Sequence, residues 1–307
     1  MIVEHALVRT VEHALVRATS TFMSTHGGLC SSLPAVLFLA VFTAAAQTPP
    51  PTYIPQTKFA RGQDVVPSFD GWLKNPDGSF TMVFGYMNRN YEEEPAIHAG
   101  PDNKVEPGPP DQGQPTYFLP RRHAWLFRVK VPADWGNKEL VWSITAHGRT
   151  EKAYASLKSD EQILERLIMT RGNLSPGLDD PNQPPSISIA PVPTASTSAP
   201  VTLAAMVTDD GLPKPRVPKA RPVAEPGKAQ TNSATARPRL GLNVTWFEYR
   251  GPAKVAFDDS PILVSNGQAI TKAHFTAPGT YVLRATANDG ELSVPSDITI
   301  QVAGATR

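Results

Sequence analysis

Phe80, Met82, Phe84 and Tyr86 occupy every second position of one segment, and this period of two predicts a half-buried strand. Trp125, Phe127, Val129 and Val131 repeat the pattern, with Arg128 and Lys130 on the opposite face. Leu140, Trp142, Ile144 and Ala146 repeat it again. Asn75-Pro76-Asp77-Gly78, ahead of the first strand, predicts a tight turn, because proline fixes φ and glycine accepts positive φ. Between the first two strands runs a polar stretch, 88–115, rich in Pro, Gly, Asp and Asn. A loop of that length is expected to be functional or disordered. One segment changes period. Ser159-Asp160-Glu161-Gln162 has the form of a capping box, Ile163, Leu164, Leu167 and Ile168 make one apolar stripe, and Gly172 follows as a stop. This predicts a single helix on the edge of the first domain.

Residues 172–185 are punctuated throughout by Pro, Gly, Asn and Asp, which marks a linker. Strand signals then resume at Ser186–Ala190, Val201–Thr208, Leu242–Tyr249, Ala269–Thr276, Tyr281–Ala287 and Asp297–Val302. Short strands at this spacing predict a β-sandwich. The segment 212–240 interrupts them. It holds Lys214, Arg216, Lys219, Arg221, Lys228, Arg237 and Arg239 against Glu225, with six prolines and no aromatic residue. Without apolar groups to offset the entropy of ordering, it is expected to be a disordered basic insertion. The expected organisation is therefore all-β: two immunoglobulin-like β-sandwich domains with one short helix between them. A β-rich domain at 57–171, the linker 172–185 and a sandwich at 186–304 follow a Pro-rich linker at 47–56 and a signal segment at 1–46.

Residues 3–9 (Val-Glu-His-Ala-Leu-Val-Arg) recur identically at 11–17, which fits a mis-assigned start ahead of Met23 better than a repeat architecture. The apolar run Leu33–Phe42, followed by Ala44-Ala45-Ala46, reads as a secretory signal cleaved after Ala46. It is too short to span a bilayer comfortably. The expected location is periplasmic, cell-surface or extracellular, with membrane contact only through an uncleaved leader. The one cysteine, Cys30, excludes a disulfide framework and a Cys-rich zinc site. The 32 prolines argue against a helical bundle. The formal net charge of +1 excludes a strongly basic binder of nucleic acid, so no sequence-specific nucleic-acid partner is expected.

The stretch Ala277-Pro278-Gly279-Thr280-Tyr281-Val282-Leu283-Arg284-Ala285-Thr286-Ala287-Asn288-Asp289-Gly290 resembles the penultimate strand of PKD-like and cadherin-like immunoglobulin-fold modules. In those families a Pro-Gly turn leads into an aromatic, an alternating strand and an Asp-Gly turn. The resemblance puts Tyr281 at a corner position and Trp246 at the buried tryptophan of the third strand. Thr208-Asp209-Asp210-Gly211 would end the second. The chain departs from the PKD pattern at Phe247-Glu248-Tyr249, where a Gly-Asp-Gly turn is expected. The first domain resembles uncharacterised exported bacterial proteins in Asp70-Gly71-Trp72, Asn75-Pro76-Asp77-Gly78-Ser79-Phe80, Phe84-Gly85-Tyr86-Met87-Asn88-Arg89-Asn90-Tyr91 and Phe118-Leu119-Pro120-Arg121-Arg122. Neither resemblance implies an activity.

Candidate chemistry is sparse. In an immunoglobulin-like topology Asp209 and Asp210 come to the same pole as Asp289 and Glu291, a carboxylate set that suits Ca²⁺; as turn residues they also need no ligand. Calcium is the one cofactor considered, and no other is expected. Glu92, Glu93 and Glu94, with Asp102 and Asp111, offer carboxylates in the long loop, but no spacing singles out an acid–base pair. His98, His123, His147 and His274 have no paired ligand spacing, and there is no Gly-x-Ser-x-Gly elbow, phosphate loop or dinucleotide turn. Trp72, Tyr91 and Trp135 fall in or near loops and are the candidates for stacking a sugar or peptide, with Arg121 and Arg122 nearby. Trp125, Trp142, Tyr86 and Trp246 lie on inward registers. The expected function is an exported, non-catalytic binding, adhesion or scaffolding protein of the cell envelope, with an envelope protein or polysaccharide as partner. The alternative is a hydrolase, or its accessory module, with a site in 88–115. That alternative requires the loop carboxylates to converge with Arg121 and Arg122 in one pocket.

Overall fold

The computed structural model describes residues 58–174, 177, 179–192, 195–214 and 241–304. The expected signal segment, Cys30, the Pro-rich linker and all but the first three residues of the basic insertion lie outside the described residues. Residues Gln56–Arg307 group as one compact unit.

The first half carries β1 (Val65–Lys74), β2 (Phe80–Asn88), β3 (Asn103–Glu106), β4 (Arg121–Val131), β5 (Leu140–Ala146) and β6 (Arg149–Ala155). They form two antiparallel three-stranded sheets, ordered β1-β2-β4 and β3-β5-β6. Their facing side chains, among them Met82, Phe84, Tyr86, Phe127, Leu140, Trp142 and Ile144, make one core. The Asn75–Gly78 turn closes the first hairpin as expected. Gly78 takes φ +84° and donates its N–H to Asn75 O at 3.0 Å.

Trp125 departs from its expected inward position. Pairing steps from Phe84↔Phe127 to Tyr86↔His123, so β4 carries two extra residues opposite Gly85, and Trp125 takes φ +51° within that bulge. His123 takes the inward place, stacked on the Tyr86 ring at 5.0 Å. Asp70 holds the bulge. Its carboxylate accepts from Trp125 N (2.7 Å), Ser68 Oγ (3.0 Å) and Arg122 Nη2 (2.5 Å).

The expected helix is broken in two. A 3₁₀ turn at Ser159–Glu161 is followed by extended Gln162–Leu164 and then by α1 (Glu165–Met169). No side chain caps the turn. Instead Ile163 donates to Trp72 O at 2.9 Å and Trp72 Nε1 donates to Lys158 O at 2.7 Å. Bonding to the β1 edge has displaced the local capping box. The stop at Gly172 is as expected, at φ +80°.

The second half carries β7 (Ser186–Ile189), β8 (Ala195–Ser196), β9 (Val201–Thr208), β10 (Asn243–Arg250), β11 (Val255–Phe257), β12 (Ile262–Leu263), β13 (Gln268–Phe275), β14 (Gly279–Asn288) and β15 (Ser293–Ala303). A five-stranded sheet, β12-β10-β14-β15-β8, packs on a four-stranded one, β11-β13-β9-β7. Burial alternates residue by residue along β13 and β14, as a two-sheet sandwich requires. Val244, Trp246, Tyr281, Leu283, Ile300 and Val302 face inward. Tyr281 donates its hydroxyl to Ala277 O at 2.8 Å, closing the corner. The protein is thus an all-β assembly of sandwiches.

The outward side of β10 and β14 is not a solvent face. Tyr249 belongs to the first half's core, and Phe247 and Val282 pack against it. Arg284 lies over the Tyr249 ring at 4.0 Å, donates to Leu126 O and forks onto Asp297 at 2.7 and 2.8 Å.

Candidate functional site

The 88–115 loop is folded, and buried amides are the reason. Asn88 Nδ2 donates to Glu93 O and Phe118 O; Asn103 Nδ2 donates to Ile97 O and Pro115 O. Asn103 Oδ1 accepts from Trp142 Nε1 at 2.9 Å, and Gln114 Nε2 donates to Asn103 O and Pro110 O. Each side chain bonds to backbone carbonyls of the loop or its flanks.

Its carboxylates separate instead of converging. Glu93 accepts from Gly62 N and faces His147 at 3.1 Å. Glu94 accepts from Tyr117 Oη (2.7 Å) and Lys254 Nζ (2.9 Å). Asp111 accepts a fork from Arg250 at 2.5 and 3.2 Å, which holds its carboxyl below the usual range. Glu92, Asp102 and His98 are exposed. Arg122 is committed to Asp70, and Arg121 lies elsewhere, over Tyr91. An open cleft of about 470 Å³ is lined by Leu73, Pro76, Arg128, Lys130 and Leu164, and none of the loop carboxylates lines it.

Lys254 and Arg250 bring the second half onto this loop, and further bonds join the two halves. Tyr249 Oη donates to Gly113 O at 2.5 Å, Arg250 Nε to Gln114 O at 2.8 Å and Gly251 N to Thr116 Oγ1 at 3.2 Å. Glu248 is buried beside this seam. One of its oxygens accepts from Val255 N at 2.9 Å and the other has no partner. Burial, with the charge of Glu94 adding to it, pushes the Glu248 carboxyl up to about 8.

At the acidic pole burial, helped by the charges of Asp289 and Asp210, raises the Asp209 carboxyl above its usual value. Asp209 accepts from Gly211 N, and Asp210 accepts from Leu212 N and Gln183 N, so both cap turns. The buried amide of Asn182 reaches Asp289 at 3.2 Å and Glu291 at 3.5 Å. Among the described residues no three His, Cys, Asp or Glu side chains are grouped to hold a metal ion. His123 stacks on Tyr86, and His274 contacts Asp258 at 2.7 Å.

Of the three aromatics expected at the surface, two are buried. Trp72 packs edge-on to Phe80, and Trp135 donates Nε1 to Lys138 O at 2.8 Å; both belong to the core and present no free face. Both sit beside turns, where the local sequence suggests exposure and the sheets behind supply burial. Tyr91 is 39 % exposed, and so is its neighbour Phe59, at 49 %. Asn90 builds this surface. It is buried, accepts from Gln63 N (2.7 Å) and donates to Gln63 O (2.9 Å). Tyr91 N donates to Phe59 O, so 58–63 lies zipped along 89–93. The Arg121 guanidinium stands 4.0 Å from the Tyr91 ring centre and Lys58 Nζ 5.4 Å from it. Arg121 also donates to Arg89 O at 3.1 Å. Arg89 and Arg149 share the buried Asp64 carboxylate at 3.5 and 3.2 Å. Sequence reasoning named Tyr91 and Arg121 but missed Lys58, Phe59, Arg89 and Arg149. No local spacing links them; Asn90 and Asp64 do.

No protein-family model and no curated protein matches the chain. Among solved structures, a conjugative transposon lipoprotein from Bacteroides eggerthii DSM 20697 is similar at 10 % identity and TM-score 0.25, over 38 % of this chain and 96 % of that one. The D00–D0 domain of intimin is similar at 8 % identity and TM-score 0.24, over 77 % and 99 %. The I67–I69 fragment of the titin I-band is similar at 10 % identity and TM-score 0.21, over 78 % and 65 %. At these scores the likenesses carry no argument about what the chain binds.

Proposed function

We propose that this chain is an exported, non-catalytic binding or scaffolding protein of the bacterial cell envelope, its second half a PKD-like immunoglobulin-type module. One observation carries the reading. The buried amides of 88–115, where a hydrolytic site would have to lie, are spent on the loop's own backbone, and the Glu94 and Asp111 carboxylates on the seam between the halves. A seam of that kind suits a part that holds two surfaces at fixed separation. The apolar run ending at Ala44-Ala45-Ala46 supports export.

Two measurements test this. N-terminal sequencing of the mature protein is expected to begin at Gln47; recovery of intact residues 1–46 in the soluble cytoplasm would overturn the export claim. The purified protein is expected to sediment with washed cell envelopes and to release no soluble fragments from them. Release of sugar or peptide fragments would favour the hydrolase.

A further inference from the structure

We propose that the seam between the two halves is a proton-dependent latch, closed while the buried Glu248 carboxyl carries a proton and loosened when that proton leaves. The proposal rests on the reading of the seam as the part that fixes the spacing of the halves, and it names what regulates that part.

Glu248 lies on β10 beside the step in pairing from Glu248↔Leu283 to Arg250↔Val282, and it is buried. Its Oε2 accepts from Val255 N at 2.9 Å, which holds the connection from β10 to β11 in place. Its Oε1 has no hydrogen-bond partner and lies against the bare backbone of Gly251, where a Cβ would collide with it and with the Tyr281 ring. A neutral carboxyl tolerates that position. A carboxylate would be a buried charge answered by a single N–H, which is far more costly.

The surroundings do not compensate such a charge. Glu94 and Tyr117 face Glu248 from the first half, and Lys254 and Tyr281 from the second. Glu94 contributes a like charge. Lys254 is already bonded to Glu94 at 2.9 Å, with its side chain mostly in solvent. Arg250 is committed to Asp111 and to Gln114 O. Tyr117 and Tyr281 are buried, and burial above all pushes both phenols upward, so they stay neutral. Glu248 is thus the buried group here that changes charge at an accessible pH. Its carboxyl is pushed up to about 8, first by burial.

The bonds that close the seam lie within a few residues of Glu248. Thr116 N donates to Tyr249 O and Gly251 N to Thr116 Oγ1, both at 3.2 Å, beside the Tyr249 and Arg250 bonds to Gly113 O and Gln114 O. Each half also has a core cluster of its own. Ionisation therefore frees the strip 249–255 from 113–117 before either sandwich unfolds. One proton separates the closed state from the loosened one. Between the ordinary carboxyl value of 4.5 and about 8, the closed state loses about tenfold for each unit by which pH rises, and the loss levels off above that window.

Hydrogen–deuterium exchange of the full chain, followed by mass spectrometry from about pH 5 to about pH 8 and corrected for intrinsic exchange, tests the latch. Peptides covering 113–118 and 249–256 are expected to lose protection about tenfold per pH unit, and at every pH to be less protected than peptides from the central strands β2 and β14. Glu248→Gln keeps the shape without the charge and is expected to abolish the slope. Glu94→Gln removes the like charge and is expected to move the levelling-off to lower pH. The proposal fails if seam protection does not change with pH in the wild type or if the slope persists in Glu248→Gln. It fails too if seam and central strands share one protection factor, since the event is then global unfolding. Sedimentation with envelopes that Glu248→Gln leaves unchanged, alongside any of these failures, would keep the envelope-binding reading and remove only the latch.

Discussion

The two halves of the molecule complete their cores by different means. The second half relies on alternation: Val244, Trp246, Tyr281, Leu283 and Ile300 point inward from long strands. The first half has fewer paired strands. It fills the remainder with a folded loop whose buried Asn88, Asn90, Asn103 and Gln114 bond to backbone groups of the loop and its flanks. Apolar burial tolerates imperfect geometry and degrades gradually. An amide hub works only when every partner is in place, because each group left unpaired in the interior costs about 1–3 kcal/mol.

Four measurements would sharpen or break that contrast. The largest effect is expected from Trp246→Ala, which opens a cavity in the alternating core and should cost about 3–5 kcal/mol in chemical denaturation. A loss below about 1 kcal/mol would mean that the site collapses around the gap. Asn103→Ala removes one amide yet orphans Ile97 O, Pro115 O and Trp142 Nε1, and we expect about 2–4 kcal/mol with a change in tryptophan fluorescence. Asn103→Ala behaving like a surface substitution would erase the distinction between the halves.

The third measurement concerns the seam. Glu248 keeps its proton when folded up to about pH 8 and loses it near its ordinary 4.5 when unfolded. Between those values the folded state binds the extra proton, so stability falls as pH rises across that window and levels off above it. The loss is about 1.4 kcal/mol per pH unit at most, so about 2–3 kcal/mol between about pH 5.5 and about pH 7.5. Glu248→Gln, which stays neutral, is expected to flatten this slope; an unchanged slope would show that the carboxyl is not the titrating group. The smallest effect is expected from Phe247→Ala, about 1–2 kcal/mol, since this ring is half-buried against the first half's core.

Much of the second half was legible because period two is printed along its strands, and Tyr281 sat where a corner hydroxyl is needed. In the first half β2, most of β4 and β5 were legible for the same reason. β1 was not, because Pro67, Asp70 and Gly71 interrupt its pattern; as a strand hydrogen-bonded to one neighbour and carrying a bulge, it tolerates all three. β3 spans four residues with a single apolar one, too little for any periodicity. The capping box at Ser159 was a sound local signal that lost to Trp72, a partner far away in the chain. Tyr91 and Arg121 were visible as an exposed aromatic and a nearby cation. Their companions were not, since Asp64 draws Arg89 and Arg149 together across a long sequence separation.

The shared wall of β10 and β14 also bears on how the chain is made. Tyr249 completes the first half's core, Arg250 and Lys254 pin its loop, and Arg284 reaches Leu126, yet all four residues are translated long after the strands they serve. A ribosome that has delivered only the first half has delivered a sandwich with an open side and an unpinned loop. The earlier-made half therefore has to wait for the later one before it closes, and a chain that pauses or is clipped near residue 240 would expose that open side to chaperones and proteases.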